Sequence, residues 1–370
     1  MQNSVVEDLP RRRPGRHGFN ETELEKRGIQ RSFGAPVTGA VSVSDGIAVC
    51  FGDGNVRFFR PQHAYTTVKA HLGVVLCVAA HEDHIITGGD DGRFLQISFD
   101  GKVKEIANFN SKWVDCVAAK DGTSVCSSGS SVYIWSKEHV KPTILKHSST
   151  VGGLALDKKG KRLAVAHYGG TTIWEKSDRR WKSKKLIWKG FHGAVTFSPD
   201  GKYIITAMQE NALHGWRIRD KADLAMTGYP AKVKSFSWVG NTPHLVTSGA
   251  DEVICWPFDG KDGPMGRPPV CVANGGKQIA TYVHALQKEK AVIAGFRDGA
   301  VLLAEIVENK EPIVLKGSSG NEVTAIALTS GLSHILIGDT KGNILWTPLW
   351  AGETNVISIC TKEDRWKFYS

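Results

Sequence analysis

Short apolar runs alternate with turn residues along most of the chain, and residues 192–216 show this pattern clearly. Ala194–Phe197 alternates apolar and polar positions, Tyr203–Ala207 is rich in aromatic and β-branched residues, and Leu213–Ile218 forms a third run. The sequence Ser-Pro-Asp-Gly between the first two runs is typical of a tight turn. Connections this short cannot hold a parallel crossover, which needs a dozen or more residues. The segment is therefore predicted to be an antiparallel meander.

The same unit recurs along the chain. Aligned on the third run, successive units place an equivalent residue at intervals of 38, 39, 39, 42, 40, 47 and 43 residues. These positions are Phe58, Gln96, Trp135, Trp174, Trp216, Trp256, Leu303 and Trp346. The run Cys-Val-Ala-Ala starts at Cys77 and again at Cys116. A period of about 40 residues built from short strands indicates a repeat architecture.

The tight turns and the periodic tryptophan resemble the WD-repeat (WD40) family, whose members fold as β-propellers of four-stranded blades. The resemblance covers residues 35–350 and implies an all-β fold. A WD40-type β-propeller with eight four-stranded blades is predicted, and seven blades remain the alternative. The repeats are degenerate: of the family's buried His–Ser/Thr–Asp–Trp set, the second unit keeps His71, Thr87 and Asp91, while Gln96 replaces the tryptophan.

Both ends of the chain lie outside the repeats. Residues 1–34 are a polar, basic arm in which Asn20–Lys26 is predicted to form one or two helical turns, with Asn20 as the N-cap and Glu23 three residues further on. A propeller must close its ring, since an open sheet edge invites pairing with other chains. Ile29–Phe33 or Asn355–Cys360 could supply the last outer strand, and the family resemblance favours Ile29–Phe33. Residues 351–370 are then a C-terminal tail, or that last outer strand.

Composition indicates a globular protein, because 41% of the 370 residues are hydrophobic and 23% are charged. The seven cysteines contain no Cys-x-x-Cys pair, and an odd number without a signal peptide favours a reducing compartment. No apolar run approaches the roughly 18 residues of a membrane span. The protein is therefore expected to be cytoplasmic and to act away from membranes.

Catalytic and cofactor-binding motifs are missing from the sequence. It contains no G-x-S-x-G, H-E-x-x-H or Walker phosphate loop, and no G-x-G-x-x-G that opens a helix. The densest His and carboxylate cluster is His81–His84, which is interpreted as a polar turn because a metal site would need further ligands. No catalytic residue, metal, cofactor or small-molecule substrate is expected.

Turns between second and third strands should meet the segments before first strands on one face. These positions carry aromatic residues and arginine, which are common at interface hot spots. The predicted partner-binding face consists of Trp113, His167, Tyr168, Phe191, Gln209, Glu210, Tyr229, Phe296 and Arg297. The main functional prediction is a non-enzymatic scaffold that binds protein partners within a multiprotein complex.

The net charge of +10 supports a second hypothesis. Alternating cations and apolar residues can protect an exposed strand from pairing, but they can also bind phosphate backbones while aromatic rings stack on bases. The predicted basic patch consists of Lys176, Arg179, Arg180, Trp181, Lys182, Lys184, Lys185 and Lys189. Nucleic-acid (RNA or tRNA) binding through this patch and Arg11–Arg16 is the alternative function. A third hypothesis is a propeller enzyme with its active site in the central channel.

Overall fold

The computed structural model describes residues 21–136, 139–177, 180–240, 243–286, 289–351 and 354–355. The chain begins there with the short helix α1 (Glu23–Arg27), which Thr22 and Glu25 cap reciprocally. The predicted cap, Asn20, lies outside the described residues, and the helix starts later than expected because Thr22 supplies the cap. Among the described residues no helix has the length and apolarity needed to cross a bilayer.

The strands form antiparallel sheets in which neighbours along the chain are mostly neighbours in the sheet. Helix α1 leads into β1 (Ile29–Ser32). The first sheet is β2 (Val37–Val43), β3 (Gly46–Phe51), β4 (Asn55–Phe59) and β5 (Thr66–Lys69). The second is β6 (Val75–Ala80), β7 (His84–Gly89), β8 (Arg93–Ser98) and β9 (Val103–Asn108). The third is β10 (Cys116–Lys120), β11 (Thr123–Ser128), β12 (Ser131–Ser136) and β13 (His139–Lys146).

A six-stranded sheet follows. It contains β14 (Val151–Leu156), β15 (Arg162–Ser177), β16 (Arg180–Phe197), β17 (Tyr203–Met208), β18 (Leu213–Arg217) and β19 (Asp223–Met226). The long strand β15 folds back on itself at Gly169 and Gly170, whose φ angles of 88° and 131° favour glycine. As a result the Lys176 amide donates to the Lys161 carbonyl at 3.0 Å. The first arm of β15 pairs with β14 and its second arm pairs with β16.

Three further sheets complete the described chain. One is β20 (Phe236–Val239), β21 (His244–Thr247), β22 (Val253–Pro257) and β23 (Val270–Val272). The next is β24 (Ala280–Leu286), β25 (Ala291–Phe296), β26 (Val301–Glu305) and β27 (Ile313–Lys316). The last combines β28 (Val323–Leu328), β29 (His334–Asp339) and β30 (Asn343–Pro348) with β1. A small hairpin of β31 (Trp350–Ala351) and β32 (Thr354–Asn355) follows.

The eight repeat positions read from the sequence all lie in these strands, and we number the repeat units one to eight from β2. Units four and five share β16, whose first arm pairs with β15 and whose second arm pairs with β17. The prediction of eight separate four-stranded blades is therefore not confirmed. Within the described ranges, seven sheets have four or more strands, which equals the blade number of the seven-bladed alternative. Units four and five fall in one sheet because the connection between them stays extended instead of turning.

Apolar clusters join each unit to the next and close the ring. Phe51 of unit one packs in a cluster with Leu336 of unit eight. Leu163 of unit four shares a cluster with Val125 of unit three, and Ala164 on its other face shares one with Ile204 of unit five. Equivalent clusters lie between the remaining neighbours. Because both faces of a sheet pack on neighbouring sheets, the fold is a β-propeller.

The segment before unit one clamps the ring. Strand β1 pairs antiparallel with β30, so that Ile29 lies opposite Trp346. Thr22 Oγ1 donates to the Leu315 carbonyl of unit seven at 2.8 Å, and Thr347 Oγ1 of unit eight donates to the Leu24 carbonyl at 2.9 Å. Asn355 pairs with Trp350 in the small hairpin, and residues 356–370 lie outside the described ranges.

Candidate partner-binding face

Turns between second and third strands lie beside the segments that lead into first strands, and together they form what we term the upper face. His71 precedes β6, and its Nδ1 lies 2.9 Å from Asp91 in the turn after β7. The Gln209 amide, after β17, donates to the Phe191 carbonyl at 3.0 Å. The remaining turns of each unit form the opposite, lower face. The predicted meeting of these segments therefore occurs.

Three large apolar side chains are exposed on the upper face of consecutive units. Leu72 precedes β6 in unit two and is 82% exposed. Trp113 precedes β10 in unit three and is 59% exposed, and Tyr168, in the fold-back of β15 in unit four, is 62% exposed. We term these three residues the apolar arc. Exposed aromatic and aliphatic groups on one face of consecutive units of a rigid scaffold are typical of protein-binding sites.

Sequence reasoning found two members of the arc and missed Leu72. The predicted face was built from aromatic and arginine positions, whereas Leu72 is an aliphatic residue that follows the buried His71. The next residue, Gly73, lies so close to the carboxylate of Asp90 that a larger side chain would clash with it. The backbone therefore packs inward at Gly73, while the side chain of Leu72 lies on the outside. The signal that could have found it is a large apolar residue directly after the histidine.

Other predicted residues of the face are present with different exposures. Gln209, Glu210 and Arg297 are exposed, while His167 and Phe191 are half-buried. The ring of His167 is held between two partners: its Nε2 lies 2.9 Å from Thr172 Oγ1, and its Nδ1 lies 2.9 Å from the Tyr168 carbonyl oxygen. Tyr168 is itself fixed, because its amide donates to Ser149 Oγ at 3.1 Å. The exposed ring of Tyr168 therefore rests on an ordered backbone.

Two predicted residues do not reach the surface, so their placement on the face was wrong. Phe296 is fully buried at the end of β25 and packs in the cluster between units six and seven. Tyr229 is also buried, and its hydroxyl group lies 2.8 Å from Thr247 Oγ1. In both cases the side chain points into the space between two units rather than away from the turn.

The buried polar set of unit two has the geometry expected from its sequence. His71 Nε2 lies 2.9 Å from Thr87 Oγ1, while its Nδ1 faces Asp91. Burial opposes ionisation of Asp91, but hydrogen bonds from the Leu72 amide, His71 and the Arg93 amide hold the pKa of its carboxyl group below the usual value. Leu72 is thus positioned by the network beneath it, since its own amide donates to Asp91 Oδ2 at 3.0 Å.

The predicted basic patch is only partly a surface. Lys176, Arg180, Lys182, Lys185 and Lys189 are exposed. Lys184 is half-buried and donates to the Ile218 carbonyl of unit five. Arg179 lies outside the described residues, as does Arg11–Arg16.

Trp181 of the patch and Trp188, which lies between its members Lys185 and Lys189, are both used in packing. Trp181 packs against the cluster between units three and four, next to Trp174. Trp188 stacks on the ring of His214, with centroids 3.9 Å apart and an interplanar angle of 15°. Stacking on unpaired bases needs free aromatic faces, so this arrangement does not favour the nucleic-acid hypothesis.

The His81–His84 turn on the lower face brings ligand-type atoms of His81, Asp83 and His84 within 4.8 Å of one another. The two imidazoles are stacked with centroids 4.4 Å apart, and His84 Nδ1 lies 2.7 Å from Asp83 Oδ1. Nearly parallel rings direct their nitrogen lone pairs side by side, whereas a tetrahedral site needs them to converge on one point. The turn differs from the expected polar turn in that His84 is buried.

Several curated proteins are similar to parts of the chain. Angio-associated migratory cell protein of Homo sapiens is 25% identical over 203 residues, which are 53% of this chain and 44% of that protein. Telomerase protein component 1 of Rattus norvegicus is 22% identical over 356 residues, which are 90% of this chain and 13% of that protein. The 66 kDa stress protein of Physarum polycephalum is 28% identical over 122 residues, which are 31% and 19% of the two chains. The chain thus spans less than half the length of these relatives.

Among solved structures, the computationally designed Ika8 protein has a TM-score of 0.68 with this chain at 15% identity. The match covers 86% of this chain and 97% of the designed one, and it shows the fold alone. No protein-family model matches the chain. The repeat spacing, the closed ring of antiparallel sheets, the buried His71–Thr87–Asp91 set and these relatives together support a WD40-type β-propeller with degenerate repeats.

Proposed function

We propose that this protein is a non-enzymatic scaffold that binds a protein partner through the upper face of units two to four. The observation that carries the proposal is the apolar arc of Leu72, Trp113 and Tyr168. The backbone at or next to each side chain is held by a hydrogen bond: the Leu72 amide donates to Asp91, the Val114 amide beside Trp113 donates to the Gly89 carbonyl, and the Tyr168 amide donates to Ser149. Little backbone entropy is therefore lost when a partner covers the arc. The scaffold comprises residues 35–350 together with the arm residues that pair with β30.

Two further observations support a binding role. One relative is named as a protein component of telomerase, which is consistent with a subunit that works inside a larger assembly. The rings of Trp181 and Trp188, in the segment of the basic patch, pack between units, which leaves the upper face as the better candidate for recognition.

Quantitative capture from the native cell tests the proposal. The tagged full chain is compared with the triple variant Leu72→Ala, Trp113→Ala, Tyr168→Ala after nuclease treatment. The matched control is Val103→Ala, Met265→Ala, because these residues are also exposed, at 39% and 48%, but lie at connections between third and outer strands, on the lower face. We expect the triple variant to lose specific protein partners that the control retains. Retention of the same partners by both variants would contradict the proposed face.

A further inference from the structure

Four lysines surround the apolar arc on the upper face. Lys69 and Lys146 end the outer strands of units one and three, Lys112 directly precedes Trp113, and Lys189 follows the outer arm of unit four. All four are exposed. None of them has an ion pair with another residue in the part of the chain that the structure describes. Each apolar side chain of the arc therefore neighbours uncompensated positive charge.

Carboxylates in the same region are turned inward. Asp91 is engaged by His71 and by the Leu72 amide. Asp115 accepts a hydrogen bond from Ser127 Oγ at 3.2 Å, and Oδ1 of Asp90 is buried. The exposed Glu210 of unit five lies against Gly190, next to Lys189, so it borders the arc on one side only. Around Leu72 and Trp113, exposed lysines therefore predominate over exposed carboxylates.

The lower face is organised differently, because many of its charges are paired with each other. Ion pairs join residues of its turns, among them Asp45–Arg60, Asp100–Lys102, Asp157–Arg162, Asp200–Lys202 and Asp259–Arg267. Lysines without an ion pair among the described residues occur there too, at Lys158 and Lys159. What distinguishes the upper face is that its unpaired lysines accompany exposed apolar groups.

We infer that the segment bound by units two to four is an acidic stretch of a protein partner that also carries apolar side chains. This inference rests on the proposed function and adds the chemistry of the partner. The apolar arc supplies buried contact area, while the lysines attract Asp and Glu side chains and speed encounter. Trp113 and Tyr168 have exposed rings on which bases could also stack, so binding of poly(U) is compared below. The aliphatic Leu72 is the most exposed member of the arc and favours a protein.

Selection from a random linear peptide library tests the inference. The immobilised full chain is the target, and the Leu72→Ala, Trp113→Ala, Tyr168→Ala variant serves for counter-selection. We expect enrichment of peptides that combine Asp or Glu with Leu, Phe or Trp, and affinities that fall as salt concentration rises. Enrichment of neutral or basic peptides at the arc would overturn the inference and leave the proposed function standing. Absence of peptides that distinguish the two targets would overturn both.

A charge-reversal pair then locates the electrostatic contribution. The double variant Lys112→Glu, Lys146→Glu is expected to raise the Kd of the enriched acidic peptides about tenfold. The matched control is Lys158→Glu with Lys159→Glu, two exposed lysines of a lower-face turn in unit four, which should change affinity less than about twofold. Equal losses in both pairs would overturn the inference. The inference would also be overturned if poly(U) bound more tightly than the peptides and if Lys112→Glu with Lys146→Glu abolished the binding of poly(U).

Discussion

Nε1 of Trp256 donates a hydrogen bond to the hydroxyl oxygen of Tyr229 at 2.7 Å, and that oxygen lies 2.8 Å from Thr247 Oγ1. In unit four, Nε1 of Trp174 instead donates to Nε2 of His147 at 3.1 Å. Tyrosine therefore takes the role of histidine in unit six. The residue types differ, but in both units a polar side chain, buried in unit six and half-buried in unit four, ties the segment before the first strand to the third strand.

Removal of the Tyr229 hydroxyl group should destabilise the fold. Tyr229→Phe leaves the indole N–H of Trp256 without its acceptor, which costs about 1–3 kcal/mol of the free energy of unfolding. Urea denaturation measures this change. The control is Tyr133→Phe, because the ring of Tyr133 packs on Phe109 and its hydroxyl group has no hydrogen-bond partner among the described residues. Equal stability losses in the two variants would contradict the role of Tyr229.

Acid should destabilise units four and five through two histidines, the half-buried His147 and the buried His214. Burial lowers the pKa of His147 and of His214 to about 4, from an ordinary value of 6.5. Between these values the unfolded chain binds more protons than the folded one, so stability is complete above about pH 6.5 and falls as the pH drops towards 4.

A histidine variant tests this pH dependence. His214→Phe can keep the stacking on Trp188 but cannot titrate, so its loss of stability between pH 7 and pH 5 should be smaller than that of the wild type. The exposed His63 provides the control, since His63→Phe should keep the full loss. An unchanged pH dependence in His214→Phe would rule out its contribution.

A pair of leucine substitutions separates the clamp from the binding face. Leu24 is buried between units seven and eight, so Leu24→Ala should lower the free energy of unfolding by about 2–5 kcal/mol. Leu72→Ala removes the same atoms from an exposed position and should change stability by less than about 0.5 kcal/mol. Urea denaturation of both variants measures the contrast. A small effect of Leu24→Ala would mean that α1 contributes little to ring closure.

Trp188, in the segment of the basic patch, should stabilise the fold through packing. Trp188→Ala removes the stack on His214, and we expect a loss of stability of about 2 kcal/mol. Trp113→Ala, at an exposed site, should leave stability nearly unchanged and affect partner capture instead. If Trp188→Ala folds with wild-type stability, its ring is free for another role.

The sequence predicted the phase of the repeats because each unit places one large side chain, most often tryptophan, at the same point of its third strand. It did not predict how units four and five join, since Trp188 and Phe191 belong to one extended strand that no turn residue interrupts except Gly190. In β16 the residues that connect units four and five resemble strand residues in composition, so the sequence does not mark where one unit ends. Pairing with β15 and β17 decides the outcome, and such pairing is a tertiary property.

The candidate face was predicted in outline but not residue by residue. Trp113 and Tyr229 both precede a first strand, yet one is exposed and the other is buried. They differ because the hydroxyl group of Tyr229 has hydrogen-bond partners, Thr247 and Trp256, in the space between units. A single sequence gives the position of a residue along its turn, whereas the direction of its side chain depends on groups far away in the chain.

The most direct test of the account is hydrogen–deuterium exchange on the full chain with and without a captured protein partner. The account predicts slower amide exchange in the segments around Leu72, Trp113, Ser149 and Tyr168 when the partner is bound, and unchanged exchange in the lower-face turns. Protection confined to the lower face, for example around His81–His84 and Lys158–Lys159, would contradict the assignment of the upper face as the binding surface.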